Sequence, residues 1–203
     1  MRKKFRPEPA WGSSSGLLDI PPRGGETVPA QLIAEVQQLV HRYTWGTDER
    51  LPELLDHCFT DDAVWEASVM GETRVGPFSG RAQVLDWFTR FWPVQKDQRR
   101  HVLTNLIVEP VDESGVVKAF ALMQIYGSTR ARSAFETSAF CRFELTRVGG
   151  RLAISRFTAG FDAPFWAPHE VGTMDDWLCE LFGIDPRDRP SDAEAPAEPG
   201  ATG

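Results

Sequence analysis

Two residues far apart in the sequence carry the side chains best suited to acid–base chemistry. Asp48 ends the segment of residues 43–48 (YTWGTD), and His101 begins the segment of residues 101–111. Histidine is the side chain whose ordinary pKa suits proton transfer near neutral pH. A carboxylate hydrogen-bonded to its ring would orient it and favour the imidazolium form. The sequence therefore predicts an acid–base pair, provided that the fold brings Asp48 and His101 together.

Each of these residues also has an ordinary structural explanation. Asp48 precedes a predicted short helix, where an aspartate is a good N-cap. His101 could be a hydrogen-bonded histidine at the start of a strand. His41 and His57 are expected to be solvated, and His169 is a weaker candidate for part of a lid. No other part of the sequence offers comparable chemistry.

The amphipathic helix that must position Asp48 is the clearest predicted element. Apolar residues recur at helical spacing through residues 32–43, which gives the helix one apolar face. Gly46 is expected to end this helix, and Asp48 to cap the next one. The other elements expected before the strands and at the end of the domain are a short helix at residues 51–59, a strand at 63–69, a helix at 81–92 and a short helix at 174–182.

From residue 100 the hydrophobic pattern changes from helical to extended. Residues 112–115 and the Gly149-Gly150 pair are expected to form hairpin turns. Helices followed by antiparallel strands favour the α+β class, with a strongly curved antiparallel sheet wrapped around the N-terminal helices. The four long strands are predicted at residues 101–111, 116–128, 133–147 and 151–158.

The register of the first hairpin predicts what surrounds His101. If Val111 pairs with Val116, His101 lies opposite Tyr126. Strand alternation then gives one face that is rich in hydrogen-bonding groups. A slip of one residue would regroup all of them. The residues predicted on this face are His101, Leu103, Asn105, Leu122, Gln124 and Tyr126.

Composition excludes several classes of function. The formal net charge of −7 argues against nucleic-acid binding, and no apolar run is long enough to predict a membrane span. The 7 Trp and 13 Phe residues predict either a well-packed core or the walls of a ligand cavity. Three widely spaced cysteines (Cys58, Cys141 and Cys179) predict free thiols in a reducing cytoplasm. No metal-ligand cluster or cofactor-binding motif is found, so neither a metal nor a cofactor is expected.

Three segments are expected along the chain. Residues 1–27 are rich in Pro, Gly and Ser and are predicted to be disordered or to dock on a partner. Residues 28–184 form the predicted folded domain. Residues 185–203 are acidic and rich in Pro and Ala, which predicts a disordered tail.

The order of the motifs resembles a known family. Tyr43 stands five residues before Asp48, and LLDHCFTDDAVWE, GPFSGRAQVLDWF and RRHVLTNLIVE follow. This order resembles the SnoaL-like branch of the nuclear transport factor 2-like superfamily, which includes scytalone dehydratase, polyketide cyclases and ketosteroid isomerase. The resemblance covers about residues 28–165. It implies a curved sheet wrapped on helices into a cone, no cofactor in most members, and a homodimer or homotrimer built through the sheet.

The resemblance also implies roles for individual residues. Asp48 and His101 match the acid–base pair of the dehydratase-like members. Tyr126 stands where the dehydratase has a second histidine, so two-histidine dehydration is not expected. A phenol there could instead polarise a carbonyl or a developing enolate. The residues expected to bind substrate or line the cavity are Tyr43, Trp65, Trp87, Phe88, Asn105 and Gln124.

These features together favour a cofactor-free enzyme acting on an apolar small molecule that carries a carbonyl or hydroxyl group. The reaction expected is dehydration, isomerisation or cyclisation of a polyketide-like secondary metabolite. Two alternatives remain open at this stage. One is a ligand-binding or interaction module without catalysis, and the other is the small subunit of an oxygenase.

Overall fold

A computed structural model describes residues 27–163 except residues 72, 94, 96, 130 and 131. All described residues belong to the first of the two units into which the chain divides, Met1–Phe165. The predicted α+β class is confirmed. The helices of this region are α1 (Ala30–Asp48), α2 (Pro52–Asp56) and α3 (Arg81–Phe91). Its strands are β1 (Phe59–Val69), β2 (Thr73–Ser79), β3 (Gln98–Val108), β4 (Val117–Thr129), β5 (Arg132–Val148) and β6 (Arg151–Phe161).

The six strands form one curved sheet in the order β2-β1-β6-β5-β4-β3. Its neighbouring strands are antiparallel except for β1 and β6, which run parallel. The expected all-antiparallel sheet is therefore wrong at this one pair. The parallel pair joins the strand that follows α2 to the last described strand, so the two ends of the described region lie side by side in the sheet.

Strand β2 is an element that the sequence analysis missed. Its residues include Gly76 and Pro77, which normally argue against a strand because proline cannot donate to the ladder. The structure places β2 at the edge of the sheet, where one side of the strand needs no backbone partner. The edge position therefore explains why these two residues are tolerated.

The core lies between α1 and the inner face of the sheet. The predicted apolar face of α1 is buried, and its last large side chain, Tyr43, is 5% exposed. The Tyr43 ring centroid lies 5.0 Å from that of Phe157 on β6 and 6.0 Å from that of Phe143 on β5. Burial of such aromatic side chains is the main term that holds a helix onto a sheet.

The end of α1 differs from the prediction. The helix continues past Gly46 and ends at Asp48. A Cβ atom on Gly46 would lie 2.7 Å from Cδ2 of the buried Leu55 side chain, so the glycine allows α2 to approach α1 closely. The N-cap of α2 is Leu51, and no side chain caps this helix. Asp48 therefore does not act as the expected cap.

A β-bulge in β3 overturns the predicted register at its functional end. Near the hairpin turn, Ile107 pairs with Phe120 as expected. Asn105 and Leu106 then lie opposite the single residue Ala121, which is a bulge, and Asn105 has a φ of 53°. Asparagine adopts this left-handed conformation more readily than most residues. Beyond the bulge the register has slipped by one residue.

The slip changes the neighbours of His101. Its pairing partner is Ile125, whereas Tyr126 pairs with Arg100. Because side chains alternate along a strand, His101 shares the inner face with Met123 and Ile125. The predicted grouping of His101 with Asn105, Gln124 and Tyr126 on one face is therefore wrong, because the bulge shifts the register of the strand pair by one residue.

Three predictions fall outside the described residues. These are the segment before residue 27, the short helix at residues 174–182 and the acidic tail at residues 185–203.

Candidate active site

The Asp48 carboxylate holds His101 at two points. Its Oδ2 accepts a hydrogen bond of 2.9 Å from the backbone N–H of His101. Its Oδ1 bonds to Nδ1 of the same imidazole. Asp48 is 7% exposed, and the His101 side chain is 14% exposed. The predicted meeting of Asp48 with His101 is confirmed, and the contact fixes both the position and the orientation of the ring.

The hydrogen bonds also determine where the imidazole proton lies. An ionised carboxylate only accepts hydrogen bonds, so Nδ1 must be the protonated nitrogen of the neutral ring. Nε2 then carries a lone pair and is the nitrogen available to a molecule beside the ring. If Nε2 takes up a proton, the adjacent carboxylate stabilises the resulting imidazolium. This arrangement is suited to a general base that later acts as an acid.

The position of Asp48 has an electrostatic cost that the His101 contacts offset. A carboxylate at the C-terminal end of a helix faces the negative end of the helix dipole. The side chain of Gln98 also donates a hydrogen bond of 2.8 Å to the backbone carbonyl of Asp48. The first residue of β3 therefore ties the helix end to the strand that carries His101.

The His101 ring lines an aromatic cavity of about 50 Å³. This volume is small beside the roughly 300–1,000 Å³ of typical ligand pockets, and it suits the reacting end of a molecule. Polar groups are few among the lining residues, so the cavity favours an apolar part of a molecule. The cavity is lined by Tyr43, Thr47, Trp65, Trp87, Phe88, Phe91, Trp92, Gln95, Arg99, His101, Met123, Ile125, Phe157 and Phe161.

Tyr43 supplies a neutral phenol to this cavity. Its hydroxyl oxygen accepts a hydrogen bond of 3.0 Å from Nε1 of Trp65. Burial is the largest cause that raises the pKa of the Tyr43 phenol, and the hydrogen bond from Trp65 opposes it. The phenol therefore stays protonated across the physiological range. With one lone pair used by Trp65, its O–H is suited to donate to a ligand oxygen.

A buried ion pair lies at the start of β3, the strand that carries His101. Arg99 is 5% exposed, and its Nε donates to Oδ2 of Asp97 at 3.1 Å. The guanidinium carbon lies 5.9 Å from the centroid of the Phe91 ring. Arg99 stands two residues before His101, so strand alternation places both side chains on the inner face. The cavity thus has a cation beside its aromatic wall, balanced by a carboxylate.

Part of this site lies where the sequence predicts it. Tyr43, Trp65, Trp87 and Phe88 line the cavity together with His101, as expected. Their role in binding a substrate stays a prediction.

Three expected site residues lie elsewhere. Asn105 is exposed in the bulge, and Gln124 lies on the outer face of the sheet. Tyr126 is 38% exposed and donates a hydrogen bond of 3.3 Å to Oε1 of Gln124. These three side chains do not line the cavity that contains His101. The one-residue slip at the bulge is the physical reason.

Several lining residues were not singled out in the sequence. Arg99 could have been found from its spacing of two residues from His101. Phe91 and Trp92 end the third predicted helix. The several aromatic residues on the apolar face of this helix could have indicated that they line a cavity. Met123 and Ile125 were not among the residues predicted on the face of His101, because the predicted register lacked the bulge.

A second, wider depression of about 710 Å³ lies along α1 and β6. Its lining includes His57, Arg42, Arg151 and Cys58, but neither Asp48 nor His101. Burial raises the pKa of the Cys58 thiol to about 11, so this sulfur is protonated near neutral pH and is a poor nucleophile. The aromatic cavity is the better candidate for the active site, because its lining includes His101, which is paired with Asp48.

The described part of the chain contains no group of three or more His, Cys, Asp or Glu side chains placed to hold a metal ion. Among the described helices, none combines the length and the apolar character that crossing a membrane requires.

A model of the SnoaL-like domain matches residues 29–158, which is more than half of the chain. The chain belongs to the SnoaL-like domain family. The resemblance inferred from the sequence motifs is therefore confirmed. The family match spans every described strand and helix up to the last residues of β6, and so includes both Asp48 and His101.

Solved structures share the fold of this chain. A protein from Catenulispora acidiphila, solved in complex with S-DNPA, is 28% identical with a TM-score of 0.57, and the match covers 66% of this chain and 95% of that one. Aln2 from a Streptomyces species is 20% identical with a TM-score of 0.57, over 66% of this chain and 94% of Aln2. At 20% identity, the likeness to Aln2 shows the fold alone.

The described SnoaL-like domain also matches a protein of unknown function with a cystatin-like fold from Nostoc punctiforme. That protein is 15% identical with a TM-score of 0.58, and the match covers 70% of this chain and 100% of that one. This likeness again shows the fold alone. No curated protein matches the chain in sequence.

Proposed function

We propose that this protein is an enzyme that moves a proton on an apolar small molecule in the aromatic cavity. The observation that carries the proposal is the two-point contact of the Asp48 carboxylate with His101, which leaves Nε2 as the basic nitrogen of a ring that lines the cavity. A histidine with only a structural role would not need both a buried carboxylate on Nδ1 and a place in the lining of an aromatic cavity. Membership of the SnoaL-like domain family supports the proposal.

The proposed chemistry assigns a role to each group. Nε2 of His101 removes a proton from a carbon next to a carbonyl, and the electron pair of that C–H bond moves toward the carbonyl oxygen. The Asp48 carboxylate stabilises the imidazolium, which then returns a proton to the substrate. The Tyr43 phenol, rather than the Tyr126 phenol, polarises the oxygen. Dehydration, isomerisation and cyclisation of a polyketide-like metabolite all begin with such a step, and none of these roles requires a cofactor.

The proposal is tested by the exchange of carbon-bound hydrogens in an activated ketone. We expect the wild-type protein to accelerate deuterium incorporation into the CH₂ groups of 2-indanone in D₂O, measured by proton NMR. His101→Gln keeps a polar side chain but removes the base, and is expected to lower the exchange rate about 100- to 10,000-fold. His57→Gln, which changes a histidine on the outer depression, is the matched control and should leave the rate unchanged.

Two results would count against the proposal. The first is an exchange rate in His101→Gln equal to that of the wild-type protein. The second is binding of 2-indanone without any exchange by the wild-type protein, which would favour a ligand-binding module instead. Circular dichroism spectra of both variants show whether the fold is retained.

We further propose that the protein forms a homodimer through the outer face of the sheet. Exposed apolar side chains on β3, β4 and β5 include Val102, Leu122 and Phe135, which are 41%, 41% and 56% exposed. Their strand positions place Val102 and Leu122 on the face opposite to His101. Exposed apolar side chains grouped on one face of a sheet are typical of an interface between proteins.

The homodimer proposal predicts the effect of a charge on this face. The wild-type protein is expected to sediment as a dimer in analytical ultracentrifugation, and Leu122→Lys is expected to sediment as a monomer. Val148→Lys replaces a similarly exposed residue at the hairpin between β5 and β6, and should leave the dimer intact. A monomeric wild-type protein would refute this proposal.

The buried free thiols of Cys58 and Cys141 fit a reducing compartment, so we propose a cytoplasmic location.

A further inference from the structure

The outer depression along α1 and β6 has the size and form of a ligand groove. Its volume of about 710 Å³ falls within the roughly 300–1,000 Å³ of typical ligand pockets. One face of α1 forms one side over three turns, a length of roughly 16 Å at 1.5 Å per residue. The end of α2 and the start of β6 form the other side. The residues of α1 that line it are Gln31, Ala34, Glu35, Gln38, Leu39 and Arg42.

The floor of the outer depression is apolar. Leu39, Cys58 and Leu152 line it and are buried, and Leu54 lines it and is half-buried. The Cys58 thiol adds no charge, because burial keeps it protonated near neutral pH. The floor is therefore suited to an apolar chain, which is stabilised by its removal from water.

Two guanidinium groups stand at one end of this floor. Arg42 on α1 and Arg151 at the start of β6 both line the depression. Burial is the largest cause that raises the pKa of the Cys58 thiol, and the positive charges of Arg42 and Arg151 oppose it. Both guanidinium groups therefore lie close enough to act on the same sulfur atom, although they come from opposite sides of the depression.

Neither guanidinium group is balanced by a carboxylate of the described region. Nη1 of Arg151 donates to the backbone carbonyl of His57, which positions the group and leaves its other N–H donors available. No described residue forms an ion pair or a hydrogen bond with the side chain of Arg42. Two positive charges thus face a depression in a chain whose formal net charge is −7.

The carboxylate among the described lining residues is already paired. Oε2 of Glu35 accepts a hydrogen bond of 2.5 Å from Nη2 of Arg147, and its Oε1 accepts one of 3.0 Å from the Gln31 amide. Nη1 of Arg147 also donates to the backbone carbonyl of Gly150 at 2.9 Å. Glu35 is therefore neutralised by a third arginine and does not compensate Arg42 or Arg151.

We infer that the outer depression binds a small amphipathic anion, whose carboxylate or phosphate monoester group contacts Arg42 and Arg151 and whose apolar chain covers the floor. A guanidinium group presents parallel N–H donors that match the oxygens of either anion. The chain of such a molecule lies over Leu39, Leu54 and Leu152. None of the residues that line the aromatic cavity lines this site, so the inference does not depend on the proposed function.

The head group of the ligand is tested with three molecules that share one chain. The dissociation constants of octanoate, octyl phosphate and 1-octanol are measured by isothermal titration calorimetry. We expect at least one of the two anions to bind about tenfold more tightly than the neutral alcohol, and the tighter anion identifies the head group. Equal affinity for all three molecules, or no binding of either anion, would overturn the inference.

The role of the guanidinium groups is tested by removing one charge. Arg42→Gln breaks no hydrogen bond with a described residue, so the fold is expected to be kept. It should weaken binding of the anion about tenfold and leave the affinity for 1-octanol unchanged. Arg90→Gln, which removes the same charge from an exposed site on α3, is the matched control. Anion affinity that is the same in Arg42→Gln and in the wild-type protein would reject this site.

The place of binding is tested with a bulky side chain on α1. Gln38→Trp fills the outer depression and is expected to abolish binding of the anion. Gln37→Trp puts the same side chain on the neighbouring exposed position, which does not line the depression, and should leave binding intact. His101→Gln should also leave it intact. Loss of binding in His101→Gln together with its retention in Gln38→Trp would place the anion in the aromatic cavity and overturn the inference.

Discussion

Asp48→Asn is expected to lower the rate of hydrogen exchange by about a thousand- to ten-thousand-fold, the scale seen when the carboxylate behind a catalytic histidine is replaced by an amide. The amide oxygen can keep the hydrogen bond from the backbone N–H of His101, which measures 2.9 Å to Oδ2. The amide NH₂ group then faces Nδ1. Because NH₂ only donates, Nδ1 must become the acceptor and the ring proton moves to Nε2.

The shifted proton removes the base from the cavity while the shape of the site is kept. The rate is measured with 2-indanone in D₂O at equal protein concentrations. Glu49→Gln is the matched control, because it neutralises the neighbouring carboxylate, whose Oε1 lies 2.9 Å from Nη1 of Arg100 at the surface. An exchange rate of Asp48→Asn within about tenfold of the wild-type rate would contradict the role assigned to Asp48. Loss of the tautomer with a basic Nε2 is expected to lower the rate far more than this.

Phe157→Ala is expected to have the largest effect on stability. The Phe157 side chain is 1% exposed, and its ring centroid lies 5.0 Å from that of Tyr43, 5.0 Å from that of Phe143 and 5.7 Å from that of Trp65. The substitution removes the ring that joins α1 to β1, β5 and β6. We expect the free energy of unfolding to fall by about 3–5 kcal/mol, because apolar burial is lost and a cavity remains.

The change in free energy is measured by urea denaturation followed by tryptophan fluorescence. Val148→Ala truncates an apolar side chain at the hairpin between β5 and β6, which is 47% exposed, and should cost less than about 1 kcal/mol. Equal losses in the two variants would show that the aromatic cluster around Phe157 is not the centre of the core.

The long elements of the fold were predictable because their patterns are strong. The apolar face of α1 and the alternation in β4 to β6 follow directly from residue types. Strand β2 was missed because Gly76 and Pro77 have low strand propensity, so the local sequence does not predict the edge strand that contains them. The parallel pairing of β1 with β6 depends on contacts between distant segments, which no local pattern encodes.

Only those residues of the candidate site that can be recognised by the chemistry of their own side chains were predictable. Asp48 and His101 were found because their side chains suit acid–base work and because their order resembles a family. Their neighbours were misassigned because a bulge at Asn105 shifts the register by one residue, and alternation then reverses every side chain beyond it. The preference of asparagine for a positive φ was a visible but weak signal.

The central claim is that Asp48 holds His101 with the proton on Nδ1 and the basic lone pair on Nε2, next to the aromatic cavity. The most direct measurement is the ¹⁵N NMR spectrum of the histidine side chains at a pH where the rings are neutral. The chain has 4 histidines, and the signals missing from His101→Gln identify those of His101. We predict a protonated Nδ1 and an unprotonated Nε2 for His101. A neutral His101 ring with its proton on Nε2 would contradict the account.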